Sequence, residues 1–230
     1  MDPGRGPGVA LPADARRLRP QRRVQRVLRR GACSLKEIDL LGAVLAGGES
    51  RRYGSDKAGE HLAGKPLAVR AAETLARVFK QVVIVSSREP TTTEWLHVPD
   101  AREGCGPLAG IEAALLRARE LRRDGVFVLA CDLPLVDDAT VRAVVGSLKS
   151  RLTAAPVREG APGMEPLCAA YRLECLPFVS RALDRGELAA HALFESVGGV
   201  TIRLPMGLFL NVNTPEDHER AAAVLKDGAG

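Results

Sequence analysis

From Asp39 onward, short apolar runs alternate with stretches in which apolar residues recur every three or four positions. The runs LLGAVLA at 40–46, QVVIVSS at 81–87 and GVFVLAC at 125–131 predict buried strands. A shorter strand is predicted at 95–98, between the second and the last of these, and more strand-like pieces at 152–157, 166–172 and 199–204. Helical periodicity covers 66–79, 107–122, 137–149, 174–185 and 189–196. A final helix is expected to start at Thr214, with Pro215 in its first position and Asp217 completing a T-x-x-D capping box. Alternating β and α units of this length predict an α/β fold in three α/β/α layers, with a mostly parallel sheet between helices on both faces. Ligands of such sheets sit beyond the carboxyl ends of the strands, so chemistry is expected after the first, second and fourth strands.

Residues 1–38 break the pattern. They are rich in Arg, Pro and Gly and hold too few apolar residues to build a core, so a disordered leader is expected ahead of one domain at 39–230. The leader has no apolar core of a secretory signal, and a flexible tail or an upstream translation start fits it better than a transit peptide. It also accounts for the net charge of +5: residues 1–40 carry ten basic and four acidic side chains, and the remainder 23 against 24. A near-neutral body with 3% aromatic residues offers neither a basic face nor stacking platforms for nucleic acid. No apolar stretch approaches the ~20 residues of a membrane span. Five widely spaced cysteines without a CxxC pair, and four histidines without HxxxH spacing, argue against disulfides and zinc. They point to a cytoplasmic protein whose metal, if it binds one, is held by oxygen ligands.

The loop after the first strand, LAGGESRRYGSDK at 45–57, holds the densest candidate chemistry. Gly47 and Gly48 let backbone N–H groups approach phosphate oxygens, and Arg52 and Lys57 supply the charge that a triphosphate needs. Two commoner glycine motifs fail. Gly59-x4-Gly64-Lys65 has Pro66 where a P-loop needs a hydroxyl, and Gly104-x-Gly106-x-x-Ala109 lacks the acidic residue of a dinucleotide site. Asp132 follows the strand VFVLAC directly; a carboxylate there could hold magnesium together with substrate phosphates, whereas Asp137 and Asp138 suit helix capping better. GPLAG at 106–110, shortly after Asp100, is a helix start that admits a ligand closely. In Asn211-Val212-Asn213, an extended Leu208–Asn213 would place both amides on one face and Leu210 and Val212 in the core.

Together, LAGGESRRYGSDK, GPLAG, ACDLP at 130–134, PLCAAY at 166–171 and NVNTPED at 211–217 resemble the molybdenum cofactor guanylyltransferases of the MobA type, in order and spacing over residues 40–225. The resemblance implies a Rossmann-like fold of the nucleotide-diphospho-sugar transferase type and transfer of GMP from GTP to the terminal phosphate of Mo-molybdopterin, releasing pyrophosphate. It implies magnesium as cofactor and, beyond the two substrates, molybdoenzymes or accessory proteins as partners; nucleic acid and membranes are not among them. By matching positions, Leu45, Ala46, Gly47, Gly48, Lys57, Ser86, Asp100, Gly106, Gly110 and Asp132 are implied in nucleotide binding, Asn211 and Asn213 in substrate binding. Arg52, Lys57 and Asp132 are implied in catalysis, with Asp132 on the metal. The chain departs from the family at Tyr53, where Met is usual, at Ser86, where an Asn would approach the nucleotide, and at Gly186–His191, where relatives often carry basic residues that could meet the pterin phosphate. The alternatives are a cytidylyltransferase or other nucleotidyltransferase of this fold, and a catalytically silent nucleotide-binding accessory protein. LAGG in place of LAAG, with GPLAG and NVNTPED, favours the guanylyl branch.

Overall fold

In the computed structural model, residues 38–47, 59–88, 94–102, 104–159 and 163–227 are described. The leader to residue 37 lies outside them. Seven strands form one sheet: β1 (Leu40–Leu45), β4 (Val82–Ser86), β5 (Leu96–Pro99), β6 (Gly125–Ala130), β7 (Thr153–Arg158), β8 (Cys168–Arg172) and β9 (Val200–Leu204). Their order is β5-β4-β1-β6-β8-β7-β9. Every residue of β1, β4 and β6 is buried, which is why these strands read as unbroken apolar runs. β1 pairs in parallel with β4 and β6, as do β4 with β5 and β7 with β9. β8 runs antiparallel to both β6 and β7. Reversing β8 brings the start of that strand, and the end of β7, to the edge where β1, β4, β5 and β6 end.

Helices α1 (Leu67–Ala76), α3 (Asp138–Leu148) and α6 (Pro215–Asp227) pack on one face of the sheet around Val44, Ile84, Phe127 and Ala170. On the other face, α2 (Gly106–Glu120), α4 (Leu176–Asp184) and α5 (Ala190–Ser196) cover Leu41, Val83, Val128 and Tyr171. The three layers are those expected, with boundaries shifted by one to three residues. At the edge remote from the site, Asp124 accepts from the Asp39 amide and donates its own to the Asp39 carbonyl, aligning the starts of β1 and β6.

Two local expectations change. A hairpin of β2 (His61–Leu62) and β3 (Lys65–Pro66), turning at Ala63-Gly64, was not foreseen. It places Gly64-Lys65 outside any phosphate loop, with the Lys65 ammonium paired to Glu73 at 2.6 Å. Leu208–Asn213 is not a strand: Met206–Phe209 forms a 3-10 turn after Pro205, leaving Leu210 half-buried and only Val212 wholly in the core. Asp137 does cap α3, accepting from the Thr140 amide at 2.7 Å.

Candidate functional site

Beyond the end of β1 the hydrogen-bond ladder continues on both sides. The Ala46 amide donates to the Val85 carbonyl, and the Cys131 amide to that of Leu45. Leu45, Ala46 and Gly47 therefore form a fixed floor between β4 and β6, and Gly47 emerges from it exposed. Gly48, Arg52, Tyr53 and Lys57 lie outside the described residues.

Two other elements, the end of β1 and α2, meet Asp100, one residue past β5. A Cβ added to Gly47 would stand 3.4 Å from Asp100 Oδ2, and one added to Gly110 in α2 would stand 3.5 Å from Oδ1. The carboxylate thus packs between two glycines whose lack of side chains permits this closeness, and among the described residues none donates a side-chain hydrogen bond to it. Burial pushes its pKa above the ordinary carboxylate value, with an opposing pull from His97. His97 sits with Nε2 3.0 Å from the Ser86 carbonyl, and the buried Ser86 hydroxyl donates to the carbonyl of Arg88. That bond commits the Ser86 proton to the loop and leaves only lone pairs for a ligand.

From Asp100 the chain turns into α2 through Gly104 (φ +68) and Gly106 (φ +63), both in the left-handed region open to glycine. Arg102 holds this turn in place. Its guanidinium donates to both carboxylate oxygens of buried Glu112 and to Asp184 of α4, while the Ser180 hydroxyl donates to Glu112 at 2.6 Å. The GPLAG segment is accordingly a helix start tied down from two sides. None of these three partners was singled out in the sequence; a glutamate amid the apolar run of α2 was the available signal.

Asp132 stands at the end of β6, half-buried, and its carbonyl accepts the Val212 amide at 2.9 Å. This bond docks the Asn211-Val212-Asn213 segment beside Asp132, with Asn211 half-buried and Asn213 exposed. The Thr214 hydroxyl accepts the Asp217 amide as expected of the capping box, but the Asp217 carboxylate reaches back to the amide of Asn213 instead of Thr214. The structure thus brings together Leu45, Ala46, Gly47, Ser86, Asp100, Gly106, Gly110, Asp132, Asn211 and Asn213 along one edge of the sheet. Gly186–His191 lies past the end of α4, where Arg185 pairs with Glu187 in solvent.

A second carboxylate adjoins Asp132. Glu165, buried just before β8, lies close enough to feel its charge: burial first, and then Asp132, push its pKa up, against the pull of Arg158. The Ala130 amide donates to the Leu167 carbonyl, which fixes the 165–167 segment against the end of β6. Among the described residues no group of three or more His, Cys, Asp and Glu could by itself cage a metal. One or two carboxylates beside a polyphosphate form a donor set suited to magnesium, which keeps water and phosphate oxygens as its remaining ligands.

The MobA-like NTP transferase domain matches residues 42–199. A molybdenum cofactor guanylyltransferase from Desulfosudis oleivorans is 34% identical over 198 residues, covering 81% of this chain and 96% of that one. The chain belongs to the molybdenum cofactor guanylyltransferase family. A probable member from Aquifex aeolicus is 33% identical over 187 residues, covering 79% of this chain and 89% of its own. Among solved structures, the molybdopterin-guanine dinucleotide biosynthesis protein A of Archaeoglobus fulgidus aligns with a TM-score of 0.67 at 25% identity, over 82% of this chain and 100% of that one. A 2-C-methyl-D-erythritol 4-phosphate cytidylyltransferase from Thermus thermophilus aligns at 0.62 with 15% identity, over 80% and 98%, which shows the shared Rossmann-like fold alone. As a member of its family, this chain is a nucleotidyltransferase, the enzyme class expected from its motifs.

Proposed function

We propose that this enzyme transfers the guanylyl group of GTP to the terminal phosphate of Mo-molybdopterin, forming the guanine dinucleotide cofactor and pyrophosphate. Beyond family membership, the observation that carries the base preference is Asp100. An ionised carboxylate only accepts hydrogen bonds, and the edge of guanine presents the N1–H and N2–H donors side by side. Cytosine offers a single exocyclic amine and a ring acceptor, which the carboxylate would repel. The missing side chains of Gly47 and Gly110 let the Asp100 carboxylate sit against the exposed backbone of Gly47, where a planar base would meet it.

The chemistry is an in-line displacement. An oxygen of the acceptor phosphate bonds to the α-phosphorus of GTP as the bond from that phosphorus to the bridging oxygen breaks, and the electron pair leaves with pyrophosphate. No covalent enzyme intermediate is required, so the chain acts by positioning and charge stabilisation. In this reading Lys57 and Arg52 neutralise the triphosphate and the amides of Gly47 and Gly48 cradle it. Asp132 holds magnesium against the phosphates, and the ion supplies charge neutralisation there. Asn211 and Asn213, docked to Asp132 through the Val212 amide, present neutral donors and acceptors to the substrates.

The test is release of pyrophosphate from GTP by the purified chain, with magnesium and Mo-molybdopterin each supplied and withheld. Release that needs both supports the reading. Absence of release with both present contradicts it.

A further inference from the structure

The last residue of β7 is Arg158, and β7 ends at the same edge of the sheet as β1 and β6. Its guanidinium donates through Nη2 to Oε2 of Glu165 at 3.0 Å. Arg158 is partly exposed and Glu165 nearly buried, so the carboxylate anchors the arginine and the arginine reaches the surface. Glu165 itself is fixed through its backbone: its amide donates to Pro156 on β7, and its carbonyl accepts the Cys168 amide at the start of β8. The remaining N–H donors of Arg158 have no partner among the described residues.

Strand order sets the lateral layout. At a strand spacing of about 4.8 Å, the end of β5 with Asp100 lies three strands, about 14 Å, to one side of the end of β6 with Asp132. The end of β7 with Arg158 lies two strands, about 10 Å, to the other side. With the base at Asp100 and the α-phosphate near Asp132, the donor fills the β5 side of the cleft. In-line attack comes from the side opposite the departing pyrophosphate, which the reading above places at Gly47 beyond β1, so the acceptor enters from the side of β8, β7 and β9. Its terminal phosphate carries nearly two negative charges and must come up to Asp132 and Glu165, two carboxylates. A cation on that side is needed to hold it. Among the described residues there, Arg203 pairs with Val157 and so lies on the opposite face of the sheet from Arg158. Arg172 is at the far end of β8, tied to the Lys149 and Arg151 carbonyls.

We infer that Arg158 binds the terminal phosphate of the acceptor, with Glu165 as the positioning residue that aims its guanidinium into the cleft. This rests on the guanylyl-transfer reading above. A guanidinium fork matches phosphate geometry with two parallel N–H···O bonds, and one bond to Glu165 leaves such a pair available. Holding the arginine before substrate arrives reduces the ordering that binding would otherwise demand. The Gly186–Glu187 corner carries its own arginine, Arg185, already paired with Glu187, so Arg158 takes up the charge complement that this corner lacks.

The test is steady-state kinetics of the full chain with Mo-molybdopterin varied at saturating GTP, and GTP varied at saturating Mo-molybdopterin. Arg158→Ala is expected to raise KM for the acceptor about 10- to 100-fold, the range for losing charge-assisted hydrogen bonds, and to leave KM for GTP within about twofold. Arg158→Ala strands the buried Glu165 charge and can weaken folding, so the double variant Arg158→Met with Glu165→Gln is measured beside it. It is expected to keep the wild-type melting temperature and show the same acceptor-specific rise. Arg158→Lys, which keeps the charge and loses the fork, should fall between. An acceptor KM unchanged in the folded double variant, or equal rises in both KM values, overturns the inference while wild-type transfer stands. Absence of transfer in the wild type overturns the guanylyl-transfer reading instead, and this one with it.

Discussion

Replacing Asp100 with Asn tests base recognition with almost no change of shape. In the reading above, the two carboxylate oxygens accept from guanine N1–H and N2–H beside Gly47. Asn keeps one acceptor and turns the other into an NH2 group facing a donor. Losing one hydrogen bond to a charged group costs about 1.5–3 kcal/mol, which at about 1.4 kcal/mol per decade lowers kcat/KM for GTP roughly 10- to 150-fold. The assay compares GTP with inosine triphosphate, which lacks the N2 amine. Wild type should favour GTP about tenfold or more, and Asp100→Asn should lose most of that preference. Stability should move the other way. The folded state holds the Asp100 proton more tightly than the unfolded chain, whose ordinary value is near 3.8. Ionisation therefore costs folding free energy, and the cost develops as pH rises from the unfolded pKa through the folded one. The amide carries no such cost, so the variant should equal wild type well below pH 3.8 and melt at or above it at pH 7. A variant with wild-type kcat/KM for GTP and an unchanged GTP-to-inosine ratio would refute the assignment of Asp100 to the base.

Other substitutions separate fold from function. Gly110→Ala puts a methyl 3.0 Å from Cδ2 of the buried Leu45, whose side chain must give by a few tenths of an ångström, and 3.5 Å from Asp100 Oδ1. Helix propensity offsets this by about 1 kcal/mol, so the melting temperature should shift little while displacement of the Asp100 carboxylate raises KM for GTP several-fold; an unchanged KM would argue against a base at Asp100. Gly125→Ala would set its Cβ 2.2 Å from the Tyr171 carbonyl oxygen and 2.8 Å from Arg172 Cα, both backbone of β8. Strands β6 and β8 must part, and a loss of about 3 kcal/mol or more is expected by denaturant titration; a near-native midpoint would contradict the register. Asp132→Asn should fold normally and lose magnesium-dependent turnover about 100-fold or more, and near-normal activity would remove Asp132 from the metal. Lys57→Ala should weaken GTP binding or transfer, and unchanged kinetics would take it out of the site.

What could be read from the chain follows the range of the forces involved. Burial on both faces writes itself into β1, β4 and β6 as continuous apolar sequence, and loop glycines with a carboxylate at a strand end are local patterns. Hence Gly47, the GPLAG helix start and Asp132 stood out as candidates from local pattern, while Asp100 entered through the family resemblance. The direction of β8 was not, because CAAYR packs equally well either way and long-range pairing decides. The hairpin at His61–Pro66 has strands of two residues, too short for a period to register. Leu208–Asn213 alternates like a strand, yet Pro205 and the 3-10 turn after it prevailed over that pattern. The Arg158–Glu165 pair depends on β7 and β8 lying side by side, and the clamp of Arg102 by Glu112 and Asp184, with Ser180 on Glu112, joins residues up to 82 positions apart. Neither could be seen in sequence spacing.

The proposed function gives one cleft two tasks, holding GTP by its guanine edge at Asp100 and delivering its guanylyl group at Asp132. Offering the purified chain equimolar GTP, CTP, ATP and UTP with magnesium and Mo-molybdopterin, and weighing the product by mass spectrometry, tests it most directly. A guanine dinucleotide is the expected dominant product. A cytosine or adenine dinucleotide would contradict the role given to Asp100 and the specificity built on it.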